Sequence, residues 1–435
     1  MSAGAGKEMW ELVAELYPLC RSITGDGVRR TLEVIGRRIP LDVREVPTGT
    51  PVLDWTVPRE WNLRDAWVED PSGARVIDLR DSNLHVVSYS TPVDQTMPLT
   101  ELRRHLHTLP EHPDWVPYRT SYYAEDWGFC ASQRLADSLP DGDYRVRIDS
   151  TLADGHLTYG EHVIEGQTTD EVLISCHVCH PSLANDNLSG IAVAGWLAEL
   201  LSRSQPRYSY RLLFIPGTIG SITWLALNEQ RLDRIRHGLV LACVGDPGGL
   251  TYKRSRRGDA GIDRAMHHVL ARSERPHRIV DFSPYGYDER QFCSPGFNLP
   301  VGSLSRTPYA QYPQYHTSAD DLDLVRPEAL EDTLEVCWEV VQVLEADRRY
   351  TNLSPKGEPQ LGRRGLYGAI GGRSDTQERQ MAMLWVLNLS DSTNSLLDIA
   401  ERSGLPFDLI AQTATTLQEA GLLASAVPVD GEGGQ

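Results

Sequence analysis

The chain has 435 residues, 40 % hydrophobic and 23 % charged, an ordinary globular composition that excludes a disordered or collagen-like protein. At about 150 residues per domain, the length implies two or three domains. The 42 Lys+Arg against 60 Asp+Glu leave a formal charge of −18, and so acidic a surface repels phosphate, which argues against nucleic acid or an anionic membrane as partner.

The N-terminal residues carry no basic region leading into an apolar run, so no secretory signal is expected. Met9-Trp10-Glu11-Leu12-Val13-Ala14-Glu15-Leu16-Tyr17 has helical apolar spacing and meets Pro18. From about 50 to 164 short alternating runs predict a β-rich region. There Ala153-Asp154-Gly155-His156 suits a hairpin turn. Strands are then predicted at 172–176, 210–215, 238–244 and 299–304, and helices at 187–201, 221–235, 260–273 and 327–347. Such alternation predicts an α/β sheet with helices on both faces. His267 and His268 are expected to face solvent from the third of these helices. Ser354-Pro355-Lys356-Gly357-Glu358-Pro359 reads as a linker, and helices at 381–389, 396–402 and 406–421 predict a small helical domain beyond it. The longest apolar stretch, 191–201, is shorter than the roughly 20 residues needed to span a bilayer. Seven scattered cysteines, an odd number, suit a reducing compartment, so the expected location is the cytoplasm.

Ligands of open α/β sheets sit beyond the carboxyl ends of the strands. Polar residues collect there: Cys176-His177-Val178-Cys179-His180 and Asn185-Asp186-Asn187 after the first predicted strand, Gly245-Asp246 after the third, and Tyr315-His316-Thr317 beyond the fourth. Each alone fits an ordinary loop residue, with Asp186 as a helix cap and His316 on the surface. Together, two histidines and two aspartates at one sheet edge suit Zn²⁺ with an open position. Cys176-His177-Val178-Cys179-His180 also has the Cys-x-x-Cys-His form of haem attachment, which belongs to exported proteins, and a structural zinc site would need a second ligand pair that is not found. Neither a His-Glu-x-x-His motif, a nucleophile elbow, a P-loop nor a dinucleotide fingerprint is present.

Asn185-Asp186-Asn187-Leu188-Ser189-Gly190, with the preceding histidine and Tyr315-His316-Thr317, resembles the zinc exopeptidases of the aminopeptidase and glutamate-carboxypeptidase type. A closer resemblance is to a bacterial aminopeptidase-like subfamily often found near polysaccharide or natural-product biosynthesis genes. Its hallmarks here are Arg21-Ser22-Ile23-Thr24-Gly25-Asp26-Gly27, Asp81-Ser82-Asn83-Leu84-His85, Thr120-Ser121-Tyr122-Tyr123, Trp127-Gly128-Phe129-Cys130 and Asp288-Glu289-Arg290-Gln291. The resemblance implies a zinc aminopeptidase-like domain (1–50 and 165–350), an inserted β-rich domain (51–164) and a winged-helix-like domain (351–435). It also implies metal ligation by His177, Asp186, Asp246 and His316, with Asp186 bridging.

One departure bears on the chemistry. The subfamily stretch Phe-Ile-Pro-Glu-Thr-Ile-Gly carries a general-base glutamate, whereas here it reads Phe214-Ile215-Pro216-Gly217-Thr218-Ile219-Gly220. Loss of a positioned base commonly costs ~10²–10⁴ in rate. Thr218 stands where the broader class has a metal-binding carboxylate, so one zinc site is expected to be strong and the second weak or absent. Glu289 is the first candidate for substitute proton carrier, against a plain ion pair with Arg290; Asp320 and His180 are the others. The expected activity is on an amide or aminoacyl bond of a small-molecule or peptide-like substrate. The alternatives are a non-hydrolytic zinc Lewis-acid enzyme, for amide transfer or cyclisation, and an inactive ligand-binding protein. What lies beside Gly217 is the discriminating feature, because a carboxylate supplied there from elsewhere would restore hydrolysis. From 355 to the end there are 6 Lys+Arg and 10 Asp+Glu, and the predicted helix 406–421 has no basic residue. This argues against DNA binding and for a protein-interaction or dimerisation role, consistent with a homo-oligomer.

Overall fold

The computed structural model describes residues 4–366 and 374–426. An eight-stranded sheet contains β1 (Asp42–Pro47), β2 (His156–Ile164), β3 (Glu171–His177), β4 (Ser209–Ile215), β5 (Ile235–Leu241), β6 (Leu250–Lys253), β7 (His277–Val280) and β8 (Val301–Ser305). In space their order is β1-β2-β4-β3-β5-β8-β6-β7. β4, β3, β5 and β8 run parallel. β2 pairs antiparallel with both β1 and β4, and β6 pairs antiparallel with β8.

Parallel strands shielded on both faces need apolar residues throughout. Val172, Leu173, Ile174 and Cys176 supply them in β3, and Leu212, Leu213, Phe214 and Ile215 in β4; every residue of both strands is buried. Arg211 of β4 and Glu171 of β3 are charged exceptions, and they pair with each other. The Arg211 guanidinium donates to Glu171 at 2.6 and 2.8 Å and to Glu161 at 2.6 Å, so the buried charge is compensated from both neighbouring strands. Because four strands are parallel, the loops after β3, β4, β5 and β8 emerge at one sheet edge, and this edge carries the polar residues.

The predicted strands correspond to β3, β4, β5 and β8, with β5 beginning three residues early, at Ile235. The helix expected to run to 235 ends at Asn228, because a 3₁₀ segment, Glu229–Arg234, leads the chain into β5. β6 and β7 span four residues each, too few to display a periodicity.

The expected hairpin at Asp154-Gly155 is a sheet-to-sheet passage instead. Asp143–Ala153 pairs with Glu60–Glu69 and Val93–Pro98 in a separate four-stranded sheet, while β2 joins β1 and β4. Glu60 Oε2 accepts the His156 amide at 2.9 Å and directs the chain away from self-pairing. Glycine is required at 155 because a Cβ there would lie 2.5 Å from Glu60 Oε2. The four-stranded sheet has its own core, including Val68, Ile77, Met97, Phe129, Tyr144 and Val146.

The chain divides into two compact units, Met1–Asp263 with Ser273–Cys337, and Arg264–Arg272 with Trp338–Gln435. The second contains the helices Ser374–Leu389, Leu396–Ser403 and Phe407–Glu419 and a three-stranded sheet. Leu396–Ser403 begins with a reciprocal cap between Ser395 and Asp398. Phe407, Ile410, Ala414 and Leu417 form the buried stripe of the last helix, as its periodicity predicts. His267 is exposed, but His268 is buried and lies 6.0 Å from the Phe407 ring, contrary to the expectation for it. Position 268 is three residues from Ala265 and therefore shares its buried face. Among the described residues no helix is long and apolar enough to cross a membrane.

Candidate metal centre

β3 ends at His177, and residues 178–189 turn the chain into the helix Gly190–Ser202. Three alternate side chains of this turn bind the loop that follows β5. Asn185 Oδ1 accepts the Gly245 amide at 2.8 Å, Asn187 Oδ1 accepts that of Cys243 at 3.1 Å, and Ser189 Oγ accepts that of Val244 at 3.0 Å. Asn187 Nδ2 also donates to the Leu241 carbonyl at 2.9 Å. Gly190 follows because a Cβ there would sit 2.6 Å from that carbonyl oxygen. Asp320 fixes the turn from the other side, accepting the amides of Asn185 at 2.6 Å and Asp186 at 3.1 Å.

With its backbone held this way, Asp186 turns its carboxylate to the histidines. Oδ1 lies 2.7 Å from His177 Nε2 and Oδ2 lies 3.0 Å from His316 Nε2. His180 completes the cluster: one ligand atom each from His177, His180 and Asp186 lie within 4.8 Å of one another, and all three residues are buried. His316 leaves 33 % of its side chain exposed and forms the open rim. Its ring stacks on Tyr315 at 3.9 Å, and Tyr118 presents an edge to both His316 and His180 at 5.0 and 5.2 Å.

Burial alone would raise the Asp186 carboxyl, but His180, His177 and His316 outweigh it and hold the group well below the usual carboxylate range. Burial pushes His180 well below the ordinary histidine value, leaving a neutral ring with a lone pair to offer. An ionised carboxylate and imidazole nitrogens, sheltered from water and grouped within 4.8 Å, are the donor set zinc prefers, so these residues fit the metal.

Asp246 is placed differently. Its Oδ1 accepts from the Gly248 amide at 2.8 Å and the Thr307 hydroxyl at 2.6 Å, and its Oδ2 from Asn185 Nδ2 at 3.2 Å and the Thr307 amide at 3.0 Å. It therefore borders the centre through Asn185, while the three-residue group contains His180.

Beside Gly217 lies the Tyr287 ring. A Cβ on Gly217 would meet Tyr287 Cε1 at 2.0 Å, Cζ at 2.8 Å and the hydroxyl oxygen at 2.9 Å, so the three atoms nearest the missing side chain all belong to this tyrosine. The ring faces His177 with centroids 3.9 Å apart, and its hydroxyl is 3.5 Å from Cys179 Sγ. Burial raises the phenol well above its ordinary value, with Cys179 and Asp186 reinforcing it, so it keeps its proton at neutral pH. Glu289 is fully buried, but it is ion-paired with Lys253 and accepts the Tyr287 amide at 3.1 Å. Its partner is thus neither Arg290 nor a residue of the His–Asp group.

Sequence reasoning did not single out Tyr287, Tyr118 or Arg21 for roles at the centre. Arg21 is buried and donates to the His180 carbonyl at 2.8 Å and the Leu16 carbonyl at 2.7 Å, bracing the turn from below. Arg21 falls within a quoted hallmark motif and Tyr287 directly precedes another, Asp288-Glu289-Arg290-Gln291, while Tyr118 stands between Pro117 and Arg119 with no metal-type residue beside it.

Residues 10–347 match the family described as a domain of unknown function (DUF4910), and residues 348–425 match a winged helix-turn-helix family. The chain belongs to the first of these families and carries the second as its C-terminal domain. It is 52 % identical over 422 residues to a Clostridium acetobutylicum protein provisionally named a polysaccharide biosynthesis protein with an aminopeptidase-like domain, covering 97 % of each. A crystal structure of a provisionally named peptidase from Clostridium acetobutylicum matches with TM-score 0.92 and 50 % identity, over 97 % of this chain and 96 % of that one. A zinc aminopeptidase from Bacillus subtilis shares the fold at TM-score 0.56 and 13 % identity, over 77 % of this chain and 94 % of that one. An M28 peptidase precursor from Shewanella amazonensis does so at TM-score 0.55 and 15 % identity, over 79 % and 93 %. The expected α/β aminopeptidase-like fold with a winged-helix end is therefore borne out.

Proposed function

We propose that the chain is a zinc-dependent aminopeptidase-like enzyme acting on an amide or aminoacyl bond of a small biosynthetic intermediate. The observation that carries this reading is Asp186, which meets an imidazole at each carboxylate oxygen and has His180 close by. His177, His180 and Asp186 would hold one ion, and His316 with the second oxygen of Asp186 would hold another more weakly. Bound zinc supplies Lewis acidity toward a carbonyl oxygen. Asp320 keeps Asp186 in place through two backbone amides. Tyr287 shields His177 and fills the volume a glutamate at 217 would need. Because its phenol stays protonated, Tyr287 can donate a hydrogen bond to an oxygen but cannot accept a proton from water.

Without a base to activate water, amide transfer or cyclisation is favoured over hydrolysis, because a neutral substrate amine attacks the carbonyl through its own lone pair and the proton it loses passes to the amine that departs as the old C–N bond breaks. All seven cysteines are unpaired, which supports a reducing compartment such as the cytoplasm. The test is metal analysis combined with product analysis, offering an aminoacyl amide with and without an amine acceptor to the wild type and to Asp186→Asn. About one zinc per chain, lost in the variant, and an acceptor-dependent product would support the reading. A zinc-supplemented wild type that retains no metal, or product formation unchanged in Asp186→Asn, would overturn it.

A further inference from the structure

A strand face in an α/β domain is ordinarily apolar and covered by a helix. One face of β6, β7 and β8 is not. Their register sets Arg278, Thr251 and Ser305 across one rung and Val280, Lys253 and Ser303 across the next. Residues two apart share a face, so five of these six neighbouring positions are polar. The other face is regular, with Leu250, Tyr252 and Leu304 buried. Residues from 283 to 285 and 308 to 311 help enclose the polar side, leaving a cavity of about 260 Å³, slightly smaller than a drug-sized site.

Ser303 and Ser305 line this cavity and are each only 6 % exposed. Neither hydroxyl is engaged by a protein group among the described residues, so both are free to hydrogen-bond to whatever enters the cavity. Lys253 is already engaged, by Glu289, the Ser283 and Tyr285 carbonyls and the Tyr309 hydroxyl. Arg278 is not. It donates through Nε to Thr251 Oγ1 at 2.9 Å and through Nη2 to Gln311, has no carboxylate partner among the described residues, and retains further N–H donors. The carboxylate on the wall, Asp281, has a 98 % exposed side chain and pairs with Arg254 at 3.6 Å.

We propose that this cavity binds a small hydroxylated organic anion, with its carboxylate or phosphate oxygens on Arg278 and its hydroxyls on Ser303 and Ser305. The cavity is linked to the candidate metal centre by aromatic rings. Tyr309, on its wall, lies 6.5 Å from Tyr315, which stacks on His316 at 3.9 Å. The occupant is thus placed to be the non-reacting end of the substrate; that assignment rests on the function proposed above, whereas the binding itself does not.

The experiment is calorimetric titration of the full chain with D-glucuronate, D-glucose 6-phosphate and D-glucose, with zinc content measured in parallel. At least one of the two anions should saturate the protein and bind about tenfold or more tighter than glucose, as expected for charge-assisted hydrogen bonds. The tighter of the two identifies carboxylate or phosphate as the natural group. Arg278→Ala, at an exposed position, should lose that margin, Arg278→Lys should recover part of it, and zinc content should stay at the wild-type level in both. No saturable binding, anions no tighter than glucose, or full binding by Arg278→Ala would each overturn the proposal. Sugar-acid binding without zinc would leave this cavity standing and remove the metal reading; zinc without anion binding would do the reverse.

Discussion

Gly217→Glu would place a carboxylate where the related enzymes keep their general base, yet the structure predicts that this change alone fails. A Cβ at 217 lies 2.0 Å from Tyr287 Cε1, far inside contact distance, so the ring must move by more than an ångström. Tyr287 is closely held, with its ring against His177 at 3.9 Å and its hydroxyl 3.5 Å from Cys179 Sγ. Overpacking of this kind costs about 1–3 kcal/mol. Burying a carboxylate that lacks a partner adds a few kcal/mol more, for a total of about 3–5 kcal/mol. For the unit that contains Gly217, Met1–Asp263 with Ser273–Cys337, an unfolding entropy of about 2.1 cal/mol/K per residue gives roughly 1.5 °C per kcal/mol, so the melting midpoint should fall by about 4–7 °C. Gly217→Glu combined with Tyr287→Ala removes the overlap. The double variant should therefore be more stable than the sum of the two single changes by about 1–3 kcal/mol. Thermal unfolding of the four proteins measures this coupling, and an aminoacyl p-nitroanilide reports whether the added carboxylate restores hydrolysis in the double variant only. The reasoning fails if Gly217→Glu melts within about 2 °C of the wild type, or if the single effects add to within about 0.5 kcal/mol.

Two further expectations concern buried carboxyl groups. Burial raises Asp288 to about 7, opposed by a hydrogen bond from Ser221 at 2.8 Å and reinforced by Glu289, while its Oδ2 is without a partner among the described residues. Because the folded value lies above the unfolded value of about 3.9, this group favours the folded state fully below pH 4. That contribution is lost as pH rises to about 7 and is level beyond. Urea unfolding should show wild-type stability falling relative to Asp288→Asn over this window by at most about 1.4 kcal/mol per pH unit, and parallel pH curves would refute it. Asp320→Asn removes one of the two acceptors that hold the Asn185 and Asp186 amides. Zinc affinity, measured by competition with a chelator, should fall about 10–100-fold, and an unchanged affinity would mean that Asp186 is positioned without it.

The parts of the fold legible in the sequence are those whose burial repeats along the chain. β3 and β4 are nearly continuous apolar runs, and the stripe Phe407, Ile410, Ala414 and Leu417 recurs at helical spacing, so each was readable within its own segment. His268 and the Asp154-Gly155 turn were misread because their surroundings come from elsewhere, Phe407 for the one and Glu60 for the other. In the candidate site, the meeting of His177, Asp186 and His316 follows from where strand ends lie in an open sheet. The place of His180 in the cluster, and the turning of Asp246 toward Thr307, do not follow from strand order. They depend on how individual side chains settle among competing hydrogen bonds.

Gly217 divides the two kinds of knowledge. That a carboxylate is missing there is a property of one position and was readable from sequence alone, together with the acidic charge and the Asn185–Gly190 motif. What takes its place was not readable, because Tyr287 lies 70 positions further along the chain and no local pattern points it at Gly217. Only packing decided that a protonated phenol fills the space, since close-packed interiors leave no gap of that size and are filled by whichever side chain folding brings near.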